Sequence, residues 1–410
     1  MNRIFRELFL LEHKKIWRRT GTKISVFLCF AYIVVFANIL NYQLFSYGSH
    51  NPYQSAFGNN FDGYTNIKNS QAYAEGFAGE LTDETLQKLV CDYQNLAASE
   101  KDSEIRSTDW QTVDGWLGVL YPELDDPDMR YISDMMGYVD SSQLTGFYER
   151  RERAIREFLN ANGQLGEEMD YLLQINEKVD TPFQYDWTTG WLLLLADGIS
   201  STSMVFALFL AIVLSTVFAG EWHDNTSPLI LTMKHGRQQI AGAKVCAGVA
   251  FAVELFVLIF VGNIVAQLFY LGTRGWDMPI QNIKVIAIAP MNMLQAEIYE
   301  YACVLLGVIG YAGLVMLISA SVKNNVLALI LSLAVVYGPM TVTKYLPLAL
   351  QKALDLLPLV GSSADIFRTN TFNIFGKFIW SPYLLITVPV LIGIACIPFA
   401  IKGWSRRLKV

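Results

Sequence analysis

The chain has 410 residues, of which 53% are hydrophobic and only 17% are charged, and its net charge is −6. Its mean hydropathy is +0.31. This composition is too apolar for an ordinary soluble enzyme. The lipid bilayer is therefore the predicted main solvent, and no nucleic-acid partner is predicted for this acidic chain.

Six apolar runs are long enough to cross a membrane, since a helix needs roughly 20 mostly apolar residues to span about 30 Å of hydrocarbon. The predicted spans are 24–41, 199–219, 241–269, 298–320, 325–343 and 382–401. The polar stretch 42–190 separates the first span from the other five. The predicted fold class is an all-α polytopic membrane protein with six transmembrane helices and one large domain between spans 1 and 2.

The orientation follows from the charges that flank the spans. Seven Lys and Arg residues precede the first span, against two acidic residues, and Lys402, Arg406, Arg407 and Lys409 follow the last span. Both termini are therefore predicted to be cytoplasmic. The stretch 42–190 holds ten Lys and Arg against 26 Asp and Glu, a net charge of −16. It is predicted to be an extracellular domain of a multi-pass plasma-membrane protein.

Residues 1–23 form a separate basic element. Its apolar positions between the Arg and Lys residues predict an amphipathic helix along the inner leaflet; they are Ile4, Phe5, Leu8, Phe9, Leu11 and Ile16. The alternative is a simple basic leader that only sets the topology. The first span lacks a small-residue cleavage site, so it is predicted to be a retained signal anchor.

The polar domain is predicted to be mainly helical. Thr82 is a predicted N-cap, and further helices are predicted over 141–159 and 167–178. The charged residues within 149–157 are predicted to form a solvated, mutually paired face. Cys91 is the only cysteine of this domain, so an intrachain disulfide is not expected to stabilise it.

Sequence motifs for catalysis are absent. The chain has no Gly-x-x-x-x-Gly-Lys-Ser/Thr phosphate loop, no His-Glu-x-x-His and no Gly-x-Ser-x-Gly. The chain is therefore predicted not to be an enzyme by itself. It is also predicted to bind no metal and no cofactor of its own.

The segment between spans 2 and 3 is the most informative. Leu229, Ile230, Met233 and Arg237 can share one side of a short helix. Such a helix presents an apolar ridge with basic edges to a cytosolic partner. The alternative is an ordinary amphipathic loop helix that rests on lipid headgroups.

This segment resembles the loop between spans 2 and 3 in the type-2 family of ATP-binding-cassette (ABC) permeases. The family pattern is an acidic residue, Gly-Thr, Leu-Leu, Pro-x-x-Arg, x-x-Ile and x-x-Ala-Lys. The matching residues are Glu221, Thr226, Leu229, Ile230, Leu231, Arg237, Ile240, Ala243 and Lys244. Asn225 stands where Gly is usual, and Lys234-His235 replaces the proline-containing turn. The likeness covers roughly residues 190–410 and the first 40, and it is to members with a large insertion after the first span.

The resemblance implies the permease subunit of an exporter. It implies an N-terminal elbow helix within 1–23, and a homodimer or heterodimer of permeases on two cytosolic ABC ATPase subunits that bind ATP-Mg. It also implies a coupling helix at 222–237, a re-entrant hairpin outside at 344–381, and ATPase-coupling roles for Glu221, Leu229, Ile230, Met233, Arg237 and Lys244. Glu221 is expected to pair with Arg237, Lys244 or the basic residues of the elbow helix; the alternative is an acid without a partner.

Polar residues inside the third span are candidates for a pathway. Glu254 is read as the one acid deep in hydrocarbon, where an ionisable group costs at least about 2.5–3.5 kcal/mol unless it faces a partner or water. Asn263 and Gln267 follow on the same helix, and all three are predicted to line the pathway or the subunit interface. The alternative is a protonated Glu254 hydrogen-bonded to a neighbouring helix. Gly307, Gly310 and Gly313 predict close helix packing in the fourth span.

Two functions of other classes remain open. One is a membrane-embedded sensor or immunity factor whose outer domain binds a peptide or envelope partner without transport. The other is an intramembrane enzyme, for which the spans supply few polar candidates beyond Glu254 and Asp197. For an exporter, the acidic outer domain favours a cationic peptide or antimicrobial substrate, attracted within a Debye length of about 8 Å; a lipid-like compound is the alternative.

Overall fold

A computed structural model describes residues 3–40, 42, 63–99, 110–130, 133–195, 199–233, 237–361 and 366–405. The principal helices are α1 (Arg3–Arg18), α2 (Thr20–Leu40), α3 (Gly63–Glu75), α4 (Asp83–Ala98), α5 (Trp110–Leu120), α6 (Phe147–Ala161), α7 (Glu167–Asn176), α8 (Thr202–His223), α9 (Ser227–Thr232), α10 (Gln238–Leu271), α11 (Met293–Ser321), α12 (Asn325–Tyr345), α13 (Leu348–Asp355) and α14 (Ser381–Ser405). Shorter helical turns lie at Pro122–Leu124, Pro127–Arg130, Met135–Tyr138, Ser141–Gln143, Thr189–Leu193 and Ile280–Asn282.

Six of these helices are long and apolar enough to cross a membrane: α2, α8, α10, α11, α12 and α14. The coarse prediction of a helical multi-pass membrane protein is therefore confirmed. Two antiparallel ribbons interrupt the all-α pattern, formed by β1 (Gly79–Glu80) with β2 (Gln184–Tyr185) and by β3 (Thr371–Ile374) with β4 (Lys377–Trp380).

Glycines bring α11 and α14 into close contact. A methyl group added at Gly310 would overlap the backbone of Pro389, and one added at Gly313 would overlap Gly393. The predicted packing role of the glycine strip is confirmed, because the two backbones meet where no side chain separates them.

The N-terminal helix α1 packs against α10. The buried Ile16 lies on its inner side, Phe5 contacts Gly242, and the Trp17 ring meets the edge of Phe251 at 5.1 Å. The helical part of the N-terminal prediction is confirmed. The apolar side of α1 therefore contacts the helix bundle, and its contact with the inner leaflet stays a prediction.

Three parts of the chain share a hydrophobic core that is separate from the core among the six apolar helices, which we call the membrane core. We call these three parts together the cap: residues 77–99, 110–130 and 133–195, residues 272–292, and residues 366–380. Trp116 lies at its centre, against the rings of Phe147 and Tyr185. The Trp116 indole also donates to the Asn282 carbonyl at 3.1 Å. The large polar stretch is therefore packed onto the loops between the later spans.

The predicted helices of the cap are largely present. Thr82 caps α4 by accepting a hydrogen bond from the Thr85 amide at 3.2 Å. The predicted start at residue 141 was wrong, because α6 begins only after Gly146, whose φ of 71° is left-handed. The stretch 42–66, rich in Asn, Gly, Ser and Tyr, is predicted to be irregular; residues 63–66 belong instead to α3, and residues 43–62 lie outside the described residues.

The prediction of a fully solvated charged face on α6 was wrong at Arg151. This side chain is 3% exposed. Its guanidinium donates to the carbonyls of Val285 at 2.7 Å and Ala287 at 2.9 Å, and to the Asn176 side chain at 2.8 Å. Burial lowers its pKa to about 10, which still leaves it charged at neutral pH. Arg151 fastens α6 to the loop that precedes α11.

The segment 344–381 differs from the predicted re-entrant hairpin of helices. It contains the short helix α13 and then the β3–β4 hairpin. The two-residue turn at Phe375-Gly376 has φ values of 51° and 83°, which fit the right-handed twist of a tight hairpin. An apolar residue at the first turn position is unusual, so the sequence pattern did not reveal this hairpin.

Candidate functional site

The candidate coupling site lies where α8 ends, α9 follows and α10 begins. We call this the loop end of the bundle. The helix α9 covers only Ser227–Thr232, so the predicted coupling helix over 222–237 was too long. The helix α8 extends to His223, and residues 234–236 of the predicted element lie outside the described residues.

A buried ion cluster fixes the loop end. The Lys244 ammonium donates to Glu221 Oε1 at 2.6 Å and to Glu12 Oε2 at 2.7 Å. Lys15 donates to the same Glu221 oxygen at 2.6 Å. Glu221 and Lys244 are both fully buried. Of the partners expected for Glu221, Lys244 and a basic residue of the N-terminal helix are confirmed, whereas Arg237 bonds instead to the Leu231 carbonyl.

The ion cluster joins three elements that are distant in sequence. Glu221 lies in the last turns of α8 and Lys244 in the second turn of α10, while Glu12 and Lys15 lie one turn apart on α1. Charges buried in this way resist separation, because removal of one partner leaves the other uncompensated. The cluster therefore sets how α1 and the ends of the two spans are placed around α9.

The apolar ridge of α9 is smaller than predicted. Leu229 is 65% exposed and Met233 is 50% exposed. By contrast, Ile230 packs against the membrane core, and Leu231 is buried in it. Helix geometry explains the division, since consecutive positions differ by about 100° and cannot all face one side.

An open groove of about 540 Å³ lies beside α9. Its lining combines apolar and polar side chains, namely Leu231, Thr232, Met233, Arg237, Gln238, Gln239 and Ser405. Arg237 is exposed at its rim, and its Nε donates to the Leu231 carbonyl at 3.4 Å. Arg237 therefore belongs to the groove, and the partners of Glu221 are Lys15 and Lys244.

Glu254 faces the N-terminal helix. Its Oε2 lies 2.9 Å from His13 Nε2 and accepts a hydrogen bond from the Trp17 indole at 2.9 Å. The carboxylate side chain remains 47% exposed. The structure thus places Glu254 against α1.

Asn263 and Gln267 lie farther along α10. Asn38 of α2 donates to Asn263 Oδ1 at 2.8 Å, and the Tyr270 hydroxyl lies 3.3 Å from Asn38 Oδ1. Wide π-helical turns at Ala31–Phe36 and Val257–Val261 meet just before these residues. Gln267 is buried, and its Nε2 atom has no hydrogen-bond partner in the described part of the chain.

The sequence pattern did not single out two acidic residues of this region, Glu297 and Glu300. Both are buried in the first turns of α11, although Glu254 had been read as the only acid well inside a span. Glu300 falls within the predicted fourth span, and its spacing of three from Glu297 places both on one side of a helix. That spacing was the available signal.

Comparison with known proteins supplies no family for this chain. No protein-family model, curated protein or solved structure matches it.

Proposed function

We propose that this chain is the permease subunit of an ABC exporter and that α9 couples it to a cytosolic ATPase. The observation that carries the proposal is a pair of exposed apolar side chains, Leu229 on α9 and Met233 directly after it, beside a groove with Arg237 at its rim. An apolar ridge with adjacent positive charge fits a groove on a partner protein. The excess of basic residues at both termini supports a cytosolic position for this end.

The ion cluster explains how a push on α9 reaches the spans. Glu221 and Lys244 stand on either side of α9, and their bond ties the end of α8 to the start of α10. Lys15 and Glu12 add α1 to the same unit. A displacement of α9 is therefore transmitted as a rigid-body tilt of two spans and the N-terminal helix.

The complete transporter proposed here contains two permease chains and two ATPase subunits. ATP-Mg is bound by the ATPase subunits, and this chain supplies the pathway through the lipid bilayer. The cap lies outside the cell in this proposal, where the acidity of the 42–190 stretch favours cationic peptides over neutral compounds.

The test is purification of the tagged full chain from its native membrane in mild detergent, with identification of co-purifying subunits and an ATPase assay. The double substitution Leu229→Glu/Met233→Glu is expected to remove the ATPase subunit and to lower associated ATP hydrolysis at least tenfold. Leu165→Glu is the matched control, since Leu165 of the cap is 60% exposed and Leu229 is 65% exposed. The control is expected to retain both.

A chain that purifies without a nucleotide-binding subunit contradicts the proposal. Co-purification of an envelope protein instead would support the sensor or immunity function. An unchanged ATPase complex in the double variant would show that α9 is not the docking element.

A further inference from the structure

Two buried carboxylates of α11 form no hydrogen bond of normal geometry with any residue that the structure describes. Glu297 is 3% exposed and Glu300 is 0% exposed. All four of their carboxylate oxygens lack a hydrogen bond to any described residue. This differs from ordinary buried acids, which are paired or hydrogen-bonded because an isolated buried charge is very costly.

The two acids lie at the junction of the two hydrophobic cores. Met293 and Ala296, which precede the pair along α11, belong to the core of the cap. Val304 and Val308, which follow the pair along α11, belong to the membrane core. A purely structural role for this stretch would be served better by apolar residues, which fill a junction of two cores without any cost of desolvation.

Two further buried polar groups without a hydrogen bond among the described residues lie on α11 and α10, namely the Tyr301 hydroxyl and the Gln267 amide nitrogen. The Tyr301 hydroxyl lies one turn from Glu297 and near Asn263, but it forms no hydrogen bond of normal geometry. The helices α10 and α11 run in opposite directions. Since Asn263 lies level with Tyr301, Gln267 one turn farther along α10 lies level with Glu297.

Gln267 is the second, independent sign of a ligand. It is 2% exposed and its Nε2 atom is unpaired, although a buried amide normally has partners. The two ends of a glutamine amide are interchanged by a rotation of the side chain. The amide can therefore present its oxygen to an ion bound by Glu297.

We propose that Glu297, Glu300, Tyr301 and Gln267 form a binding site for one hard, oxygen-preferring metal cation of the Na⁺ or Ca²⁺ class. Carboxylate, hydroxyl and amide oxygens are the ligands that such ions prefer. The described part of the chain has no group of three or more His, Cys, Asp or Glu placed to hold a metal ion, so the neutral oxygens complete the proposed ligand set. The site stands independently of the exporter proposal.

The cation links the cap to the membrane bundle. When bound, it compensates two negative charges on α11, the one helix in the described part of the chain whose buried apolar residues belong to both the cap core and the membrane core. Its removal leaves two carboxylates in mutual repulsion at that junction. Cation binding is therefore expected to stabilise the attachment of the cap to α11.

The experiment measures thermal unfolding of the purified full chain in detergent at fixed pH. Chlorides of Na⁺, K⁺, Ca²⁺ and Mg²⁺ are compared with N-methylglucamine chloride at equal ionic strength. A saturable rise of the melting temperature by a few degrees is expected with Na⁺ or Ca²⁺, because a ligand bound only by the folded state stabilises it. The response identifies which of the two ions is bound.

Substitutions locate the effect. Glu297→Gln/Glu300→Gln is expected to abolish the rise and to melt no lower than the original chain in N-methylglucamine chloride. The matched control is Glu254→Gln, which alters an acid that has protein partners and is expected to keep the full response. Equilibrium binding of radioactive ²²Na⁺ or ⁴⁵Ca²⁺ to the unsubstituted chain is expected to give one ion per chain.

Three results would overturn the proposal. The first is an equal melting temperature in every salt together with no bound radioactive ion. The second is an undiminished cation response in the double variant. The third, from a repeat of the same salts at several pH values, is a melting temperature that changes with pH but not with the salt, which would mean that protons neutralise the two carboxylates. If the double variant does not fold, the radioactive-ion measurement on the original chain decides.

Discussion

The ion cluster at the loop end and the acid pair of α11 are both buried, yet they are neutralised in different ways. Glu221 has two ammonium partners at 2.6 Å. Glu297 and Glu300 have none among the residues that the structure describes. A buried charge with protein partners fixes the relative positions of helices, whereas a buried charge without them is suited to an external ion. The bundle therefore combines a permanent joint near α9 with a ligand-dependent joint near the cap.

The largest expected effect on stability comes from removal of the Lys244 ammonium, which Glu221 and Glu12 share. Lys244→Met leaves Glu221 and Glu12 without their buried partner, which is expected to cost about 3–5 kcal/mol of unfolding free energy. The measurement is denaturant or thermal unfolding of the purified chain in detergent. Lys15→Met is the control, because the Lys15 side chain is 43% exposed and partly exposed ion pairs contribute roughly 0–1 kcal/mol. Equal losses in the two variants would contradict a permanent joint centred on Lys244.

Arg151 is a third buried charge, and its partners are neutral carbonyls instead of an acidic side chain. Its substitution tests whether such carbonyls stabilise a buried charge. Arg151→Met leaves the Val285 and Ala287 carbonyls without their donor, and each orphaned buried group costs about 1–3 kcal/mol. The free energy of unfolding of the full chain is expected to fall by no more than the sum of these two costs. Arg156→Ala, on the exposed side of the same helix, is expected to change stability by less than about 0.5 kcal/mol. A similar loss in both variants would mean that the cap is not fastened through Arg151.

Amide substitutions separate the two kinds of buried acid by the sign of their effect. Glu221→Gln removes a paired charge and is expected to destabilise the chain. Glu300→Gln removes an unpaired charge, so the desolvation of that charge is no longer required. This substitution is expected to raise the unfolding free energy by about 1 kcal/mol or more in a buffer without metal cations. Both are measured by thermal unfolding in N-methylglucamine chloride. Destabilisation of the same size by both substitutions would remove the distinction between the two joints.

The coarse architecture was readable from the sequence because it depends on local quantities. Span length, the Thr82 cap and the glycine strip each involve residues within one element, so hydropathy and spacing predict them. Glu221 and Lys244 also belonged to one short segment, so their pairing could be anticipated. The partner Glu12 could not, because it depends on how α1 is placed against α10.

Non-local packing accounts for what the sequence did not reveal. Arg151 has the same neighbours in sequence as the exposed charges of α6, and only the loop carbonyls at Val285 and Ala287 distinguish it. The burial of Glu297 depends similarly on the cap closing over the start of α11. An acidic residue at the edge of a span looks solvated in the sequence when the element that covers it lies more than a hundred residues away.

Substitution of Glu254 has the smallest expected effect on stability, because this acid has protein partners but is not buried. It has partners on α1, His13 and Trp17, but it remains half exposed, so Glu254→Gln is expected to change the unfolding free energy by less than about 1 kcal/mol. The same variant tests the predicted pathway role through transport or ATPase activity of the assembled complex. Lost activity with unchanged stability would support a pathway role. Trp17→Phe, which removes only the indole donor, distinguishes the remaining cases: if both variants alter stability equally and leave activity intact, Glu254 serves to hold α1 on the third span.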